Sequence, residues 1–316
     1  MSDYLIKRLI GALPVLFGVS VVIFFLMQLI PGDITAAMLG PMATQVAREE
    51  LRHALGLDQP ILVQYVKWLT RALSGDFGMS IATSLPVSQL VLPKFANTVV
   101  LTAASLLLSL IVGFGVGAFA AARANSTFDR AVMSITLVFG SIPPYWLGLM
   151  LVMIFALTLR WLPTTGMYDI IDPGGLRDLL RHLVLPAIAT AAAPAAIITR
   201  MVRTSMAEIL EQDYVRVARA KGIPRNIILW RHVLRNALPP IATITGLQLG
   251  FLLGGAVFTE VVFAWPGLGY QLTSSIVARD FPVVQAAVLL IALIFVLVNL
   301  GVDMLNAIID PRIRVS

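Results

Sequence analysis

Six long stretches of this sequence contain no charged side chain, and each is long enough, or nearly so, to cross a membrane. They are residues 9–32, 95–122, 131–159, 183–199, 236–259 and 281–302. A helix needs roughly 20 apolar residues to span the hydrocarbon core of a bilayer. Only 13% of the 316 residues are charged, whereas a soluble domain carries about 25%. The sequence therefore predicts an all-α membrane protein with about six transmembrane helices.

The apolar stretches divide the chain into consecutive regions. Residues 1–32 are expected to hold the N-terminal region and first transmembrane helix, and residues 33–94 a small extracytoplasmic helical cap between spans one and two. Residues 95–310 are expected to form a core of five transmembrane helices, which includes a cytoplasmic loop at 204–235. Residues 311–316 are expected to be a cytoplasmic tail.

The cap region has helical patterns of its own. Apolar residues at helical spacing predict one helix over 46–55, ending near Gly56, and another over Ile61–Leu73. We expect the cap to be a lid packed on the membrane domain. Direct contact with a partner protein is the alternative.

The distribution of lysine and arginine predicts the orientation of the spans. The first span follows Lys7 and Arg8, and basic residues are concentrated again in the loop at 204–235. Such residues favour the cytoplasmic side, so both termini are expected there. The fourth span is the shortest, and we expect it to continue past Arg200 and Arg203, whose long side chains can reach the headgroups.

Several classes of catalyst and cofactor site are excluded. The chain has no cysteine, and its histidines, His53, His182 and His232, are far apart. It contains neither the P-loop pattern G-x-x-x-x-G-K-[ST] nor the zinc-protease pattern H-E-x-x-H. The net charge of +6 could suggest nucleic-acid binding, but in a membrane protein an excess of lysine and arginine on the cytoplasmic side explains it. We therefore expect a non-catalytic chain that binds membrane lipid, no nucleic acid, no metal and no cofactor.

Ionisable groups are also scarce within the spans. Only Glu260 and Asp303 approach membrane depth, and both lie at span ends. A proton- or voltage-driven device normally buries several such groups. The chain therefore either conducts passively or takes its power from another chain.

The loop between spans four and five predicts a short helix with a defined end. Ala218 and Ala220 favour helix, and Lys221 suits the negative end of a helix dipole. Gly222 can adopt the left-handed conformation that ends a helix, and Pro224 prevents continuation. Such a helix is either a handle for a partner protein or a basic anchor on lipid headgroups.

This loop resembles the EAA loop of bacterial ATP-binding-cassette (ABC) importer permeases, whose consensus is E-A-A-x-x-x-G. Ala218 and Gly222 stand at the right spacing, whereas Arg216 and Val217 depart from the first two positions. The departures resemble the peptide, glutathione and nickel permeases, with D-Y-x-R-x-A-R-A-K-G followed by H-x-L-R-N-A. The matching residues are Asp213, Tyr214, Arg216, Ala218, Arg219, Ala220, Lys221 and Gly222, then His232, Leu234, Arg235, Asn236 and Ala237.

The resemblance extends along nearly the whole chain. Further similar segments, in the family's order, are PGD at 31–33, LGLDQP at 55–60, GDFG at 75–78, FAWPGLG at 263–269, RDFP at 279–282 and DPRIR at 310–314. It implies a type I ABC-importer permease fold in a bacterial inner membrane. It also implies four kinds of partner: a second homologous permease, two cytoplasmic ABC ATPases that bind ATP and Mg, an extracytoplasmic substrate-binding protein, and lipid.

The resemblance also implies roles for particular residues. The residues expected to couple to the ATPase are Asp213, Tyr214, Val217, Ala218, Ala220, Lys221 and Gly222. Peptides are the expected cargo, with glutathione, nickel complexes and oligosaccharides as alternatives. A stand-alone channel or secondary carrier is a more remote alternative.

Candidates for the translocation path come from polar residues in the apolar spans. In span three, the GSIPP run at 140–144 must interrupt the helix, so Ser141 is a candidate, with a packed kink as the alternative. Span five presents Thr243 and Gln248. Glu260 is either a gate or substrate contact, or a structural partner of a nearby donor.

Glycines and prolines in the spans predict two further features. Gly113 and Gly117 share one face of span two, and Gly246, Gly250 and Gly254 share one face of span five. Such faces favour close helix packing, with pore lining as the alternative. A helix over 225–236 should lead into span five, with Pro239 and Pro240 in the first turn of that span, where a missing N–H costs little.

Overall fold

The computed structural model describes residues 2–29, 35, 39, 43–169 and 171–309. The predicted end of span one at 31–33 and the predicted tail at 311–316 lie outside these residues. The helices are α1 (Ser2–Leu29), α2 (Gln45–Leu55), α3 (Ile61–Leu73), α4 (Val87–Ala122), α5 (Thr127–Ser141), α6 (Pro144–Leu151), α7 (Gly175–Leu210), α8 (Asp213–Ala220), α9 (Leu234–Val262), α10 (Leu268–Val277) and α11 (Phe281–Ile309).

The described helices confirm the predicted membrane fold. Those long and apolar enough to cross a membrane are Ile10–Leu29, Val87–Ala122, Gly175–Leu210, Arg225–Val262 and Phe281–Met304. A bent pair, Thr127–Ser141 with Pro144–Thr158, makes a sixth span if the two halves are counted as one. The protein is thus an all-α membrane protein with about six spans.

The described residues divide into two compact units. One comprises the described residues of 98–266 together with 2–5 and 297–309, and the other comprises the described residues of 6–97 and 267–296. These bounds cut through α1, α4 and α11, so the units do not follow single helices.

The third span is interrupted where the sequence predicts. The helix ends at Ser141, and Pro143 has extended backbone, with φ −61° and ψ 135°. Pro144 then begins a new helix at an angle of 100° to the first. Because Pro144 lies at the start of α6, its missing N–H leaves no hydrogen bond broken. Beyond Leu151 the helix continues as a π-helix over Val152–Thr158.

The fourth span continues beyond its apolar stretch, as predicted, and ends at Leu210. Arg203 has a different role from the one predicted, because it binds a carboxylate. Its Nε and Nη2 donate to the two oxygens of Asp129, at 2.9 and 2.5 Å. Asp129 also accepts from the backbone N–H of Asn125 at 2.9 Å. This buried cluster connects α7 to the start of α5.

The fifth span begins earlier than predicted. One continuous helix runs over Arg225–Val262, so Pro239 and Pro240 lie inside it and the prediction of a first-turn position is wrong. A π-helical turn over Ile228–Val233 precedes the prolines and shifts the register of the backbone hydrogen bonds there. Thr243 Oγ1 donates to the Pro239 carbonyl at 3.2 Å. The helix thus passes through both prolines without a break.

The predicted glycine faces of spans two and five differ in how closely they pack. A Cβ added at Gly113 would lie 2.5 Å from a side-chain carbon of Ile198, and one at Gly117 would lie 2.7 Å from the Thr199 carbonyl oxygen. The close packing predicted for span two is therefore confirmed, and α7 is the partner. In span five, Gly246 packs tightly against Val302, whereas Gly254 has open space around it.

The loop between the first two spans contains the two predicted helices. Gly56 ends α2 in the left-handed conformation, with φ 68°. Tyr65 on α3 is buried and hydrogen-bonded to Ser20 of α1 at 2.8 Å. A hydrogen bond with His53 holds the pKa of the Asp58 carboxyl below its usual value. The packing of α3 on α1 agrees with the lid interpretation.

Candidate functional site

The short helix α8 packs on the membrane helices through an apolar face centred on Val215. Val215 is fully buried in a cluster that includes Met206 from α7, Val233 from the π-helical turn and Ala237 from α9. Complete burial of a valine contributes about 1.5–3 kcal/mol. Helix α8 therefore packs on its own chain through one face.

The predicted stop of α8 has the geometry of a Schellman motif. Gly222 has φ 75°. Its N–H donates to the Arg219 carbonyl at 3.0 Å, and the N–H of Ile223 donates to the Ala218 carbonyl at 3.2 Å. These two bonds satisfy carbonyls that the helix end leaves open. Ile223 and Ala218 both pack against the cluster around Val215. Apolar packing therefore stabilises the C-terminal end of α8 in addition to the two hydrogen bonds.

Two polar contacts connect α8 to the helices before and after it. Asn236 Nδ2 donates to Tyr214 Oη at 2.9 Å. Arg219 Nη2 donates to the Leu210 carbonyl at 3.3 Å, at the end of α7. Sequence reasoning did not single out Val215 as the anchor, although Val215 and Ala218 have the i, i+3 spacing of one helix face.

The other face of α8 is open. Tyr214 and Val217 are 42% and 51% exposed, and Asp213, Ala220 and Lys221 are exposed beside them. We call the five residues Asp213, Tyr214, Val217, Ala220 and Lys221 the α8 face. Gly222 is also exposed.

Ala218 differs from the other residues predicted to couple to the ATPase. Ala218 packs inward against the cluster around Val215, whereas Gly222 is exposed. Of the two residues that match the EAA consensus, Ala218 therefore packs on the chain itself and Gly222 ends the helix.

The four candidates for the translocation path have different environments. Ser141 and Thr243 are exposed, and each hydroxyl donates to a carbonyl one turn back in its own helix. Gln248 is only 9% exposed, and its Oε1 has no hydrogen-bond partner among the described residues. A buried amide oxygen without a hydrogen-bond partner is costly. Of the four candidates, Gln248 is therefore the one whose polar group is not explained by a contact within the described residues.

Glu260 is fully buried and accepts a hydrogen bond from Thr98 Oγ1 at 2.6 Å. This contact connects α9 to α4 and provides the nearby donor that the structural interpretation of Glu260 requires. Sequence reasoning did not identify Thr98, because the two residues are 162 positions apart.

Two family models match the chain. The model described as "Binding-protein-dependent transport system inner membrane component" matches residues 113–315. The model described as "Binding-prot-dependent transport system membrane comp, N-term" matches residues 1–102. Between them they cover nearly the whole sequence.

Curated relatives match over almost their full length. The dipeptide transport system permease protein DppB of Alkalihalophilus pseudofirmus is 41% identical over 99% of this chain and 100% of its own. The glutathione transport system permease protein GsiC of Escherichia coli K12 is 42% identical over 99% of both chains.

A solved structure has the same fold. A chain of the inward-facing MetNI methionine ABC transporter matches with a TM-score of 0.56 and 20% identity, over 70% of this chain and 97% of that one. The helical membrane architecture is therefore that of an ABC-importer permease. From the family models, the relatives and the fold together, this chain belongs to the family of inner membrane components of binding-protein-dependent transport systems, as a permease subunit of an ABC importer.

Proposed function

We propose that this permease subunit forms half of a translocation path for short peptides, and that the α8 face transmits the motion of a separate ATPase to the membrane helices. ATP and Mg bind to the ATPase partners. A second homologous permease completes the path, and a binding protein delivers the cargo. Both termini of this chain and α8 lie in the cytoplasm.

One observation carries the coupling proposal: α8 is fixed on one face and open on the other. Burial of Val215 and the hydrogen bond from Asn236 to Tyr214 hold the helix against α7 and α9. Tyr214 and Val217 leave apolar surface exposed on the opposite side. A rigidly held helix with an open apolar and charged face is suited to insertion into a groove of another protein.

Two cargoes are compatible with the relatives. The dipeptide permease DppB and the glutathione permease GsiC resemble this chain to almost the same degree, 41% and 42% identity. Since glutathione is itself a tripeptide, both names support a peptide-like cargo. We favour dipeptides and oligopeptides, with glutathione as the second candidate.

The coupling proposal is tested by placing unfavourable charge on the α8 face. Val217→Glu and Lys221→Glu should each abolish the uptake of radiolabelled dipeptide by the assembled transporter in proteoliposomes. An unpaired charge buried at an interface costs about 2–5 kcal/mol, so we expect ATPase binding to fall by about 30-fold or more. Stimulation of ATP hydrolysis by the binding protein should disappear in parallel.

Arg130→Glu is the matched control, because Arg130 is exposed at the start of α5 and lies outside α8. It reverses the same charge and should leave uptake unchanged. Wild-type uptake in both α8 variants would refute the coupling role. The same proteoliposomes, supplied with glutathione in place of dipeptide, separate the two cargoes. Uptake of neither by the wild-type transporter would refute the peptide proposal.

A further inference from the structure

A groove beside α8 has features that neither peptide transport nor ATPase binding explains. It encloses about 500 Å³ between the end of α4 and the helical segment that begins at Arg225 and leads into α9. Gly115 and Ala118 form part of one wall, and Leu229 and Trp230 part of the other. A Cβ at Gly115 would meet nothing within 4 Å, and Trp230 is 65% exposed. We call this cavity the Trp230 groove.

One end of the Trp230 groove is positively charged. Arg123 and Arg225 both line it. The Arg123 guanidinium lies over the ring of Phe119, 4.6 Å from its centroid, and 5.8 Å from the centroid of Phe128. Arg225 donates to the Ala122 carbonyl at the end of α4. These contacts hold both arginines in place and leave most of their N–H groups available to a ligand.

The positive charge at this end is not neutralised within the described part of the chain. No acidic residue lines the groove. The carboxylate nearest in sequence to Arg123 is Asp129, which is bound through both oxygens by Arg203. The two groove arginines therefore present a site for an anion.

The rest of the groove is apolar and runs along α4 away from the charged end. Ala122, Ala118 and Phe114 line it in succession. At 1.5 Å per residue, the separation of eight positions between Ala122 and Phe114 corresponds to about 12 Å along the helix axis. The walls therefore change from cationic at the end of the span to apolar within it, which is the polarity profile of a phospholipid.

We propose that the Trp230 groove binds one acidic phospholipid of the cytoplasmic leaflet, with its phosphate on Arg123 and Arg225 and an acyl chain along Gly115 and Ala118. Basic pockets between transmembrane helices on the cytoplasmic side bind anionic headgroups in this way. A free anion would use the arginines and leave the apolar wall uncovered, and a protein helix would not need the charges. The proposal rests on the cytoplasmic orientation of α8 proposed above.

This site would also link lipid composition to transport. Arg225, Leu229 and Trp230 belong to the helical segment that connects α8 to α9. A bound lipid therefore contacts the same backbone segment that carries motion from the α8 face into span five. We expect acidic lipid to stabilise this segment and to raise transport-coupled ATP hydrolysis.

The test uses quenching of tryptophan fluorescence by brominated lipid in the intact transporter, reconstituted into nanodiscs. Brominated phosphatidylglycerol should quench Trp230 more strongly than brominated phosphatidylcholine at equal mole fraction. The Trp230 signal is obtained as the difference from Trp230→Phe, because the chain has five tryptophans. Arg123→Gln and Arg225→Gln should each lower the preference for the acidic lipid about fivefold, the effect of one basic group near a charged headgroup.

Two further variants keep the test decisive. Arg130→Gln removes an exposed arginine outside the groove and should leave the preference unchanged. Gly115→Leu fills the apolar wall and should reduce quenching by both lipids, without removing either charge. Each variant is first checked for wild-type elution and assembly, so that misfolding is not read as lost binding.

Three results would overturn the proposal. Equal quenching by the two lipids would mean ordinary contact with bulk bilayer, and quenching by neither would mean that protein covers the groove. Relief of the quenching by inorganic phosphate would identify a site for free anions alone. Because the measurement reads fluorescence and not uptake, a failed cargo or coupling proposal would leave its outcome unchanged.

Discussion

Helices α4 and α7 approach each other closely at Gly117, and this contact allows a quantitative test of the fold. A Cβ added there would lie 2.7 Å from the Thr199 carbonyl oxygen and 2.8 Å from Val202 Cβ. Ordinary contacts between such atoms are about 3.5–4.0 Å. The oxygen belongs to the backbone of α7, so it cannot rotate away. Gly117→Ala must therefore separate the two helices by several tenths of an ångström.

Overpacking of this kind costs about 1–3 kcal/mol. Alanine also gains up to about 1 kcal/mol over glycine in helix propensity, so a control with the same gain is needed. Gly254→Ala provides it, because a Cβ at Gly254 meets nothing within 4 Å. Relative to that control, and at about 2–4 °C per kcal/mol, we expect Gly117→Ala to melt about 2–12 °C lower.

The assay is thermal unfolding of the purified chain in detergent, followed by tryptophan fluorescence and by loss of the monodisperse elution peak. Both variants are measured beside the wild type at the same detergent and protein concentration. A melting temperature for Gly117→Ala equal to or above that of Gly254→Ala would refute the close contact between α4 and α7.

The same assay tests two buried polar contacts. Asp129→Ala leaves the Arg203 guanidinium without its carboxylate, and because that side chain is 23% exposed we expect a loss of about 3 kcal/mol, at the lower end for a broken buried pair. An unchanged melting temperature would contradict this. Thr98→Val removes one hydrogen-bond donor to buried Glu260 and should cost about 1–3 kcal/mol. Thr102→Val, whose hydroxyl bonds only within its own helix, should cost less, and equal losses would count against the Thr98 contact.

Prolines show where sequence reasoning about this fold succeeds and fails. The pair at Pro143 and Pro144 interrupts its span, as predicted, and the two halves are bent by 100°. The pair at Pro239 and Pro240 instead lies within a continuous helix. In the first case the second proline becomes the first residue of a new helix. In the second, the π-helical turn over Ile228–Val233 lies just ahead of the prolines. That turn depends on packing around the segment, which the local sequence does not indicate.

Contacts between residues far apart in the sequence are the second feature that the sequence does not predict. Local chemistry predicted the end of α8 at Gly222, because only nearby backbone groups are involved. It singled out Glu260 and Arg203 but not their partners Thr98 and Asp129, which are 162 and 74 residues away. A partner at that distance depends on how each helix is rotated about its axis, and strongly apolar spans carry little periodicity to fix that rotation.

The position of α8 on its own chain has a mechanical consequence for the proposed coupling. Val215 packs with Ile228 and Val233, and Asn236 holds Tyr214, so α8 is fixed to the helix that crosses the membrane and not to a loose connection. That helix has 38 residues, or roughly 57 Å at 1.5 Å per residue.

Near the far end of this helix, buried Glu260 is held by Thr98 of α4. A force applied at the α8 face would therefore tilt this one helix and so act on the contact between Glu260 and Thr98. For ATP binding to drive such a tilt, the ATPase must contact the α8 face with different free energies in its open and closed states.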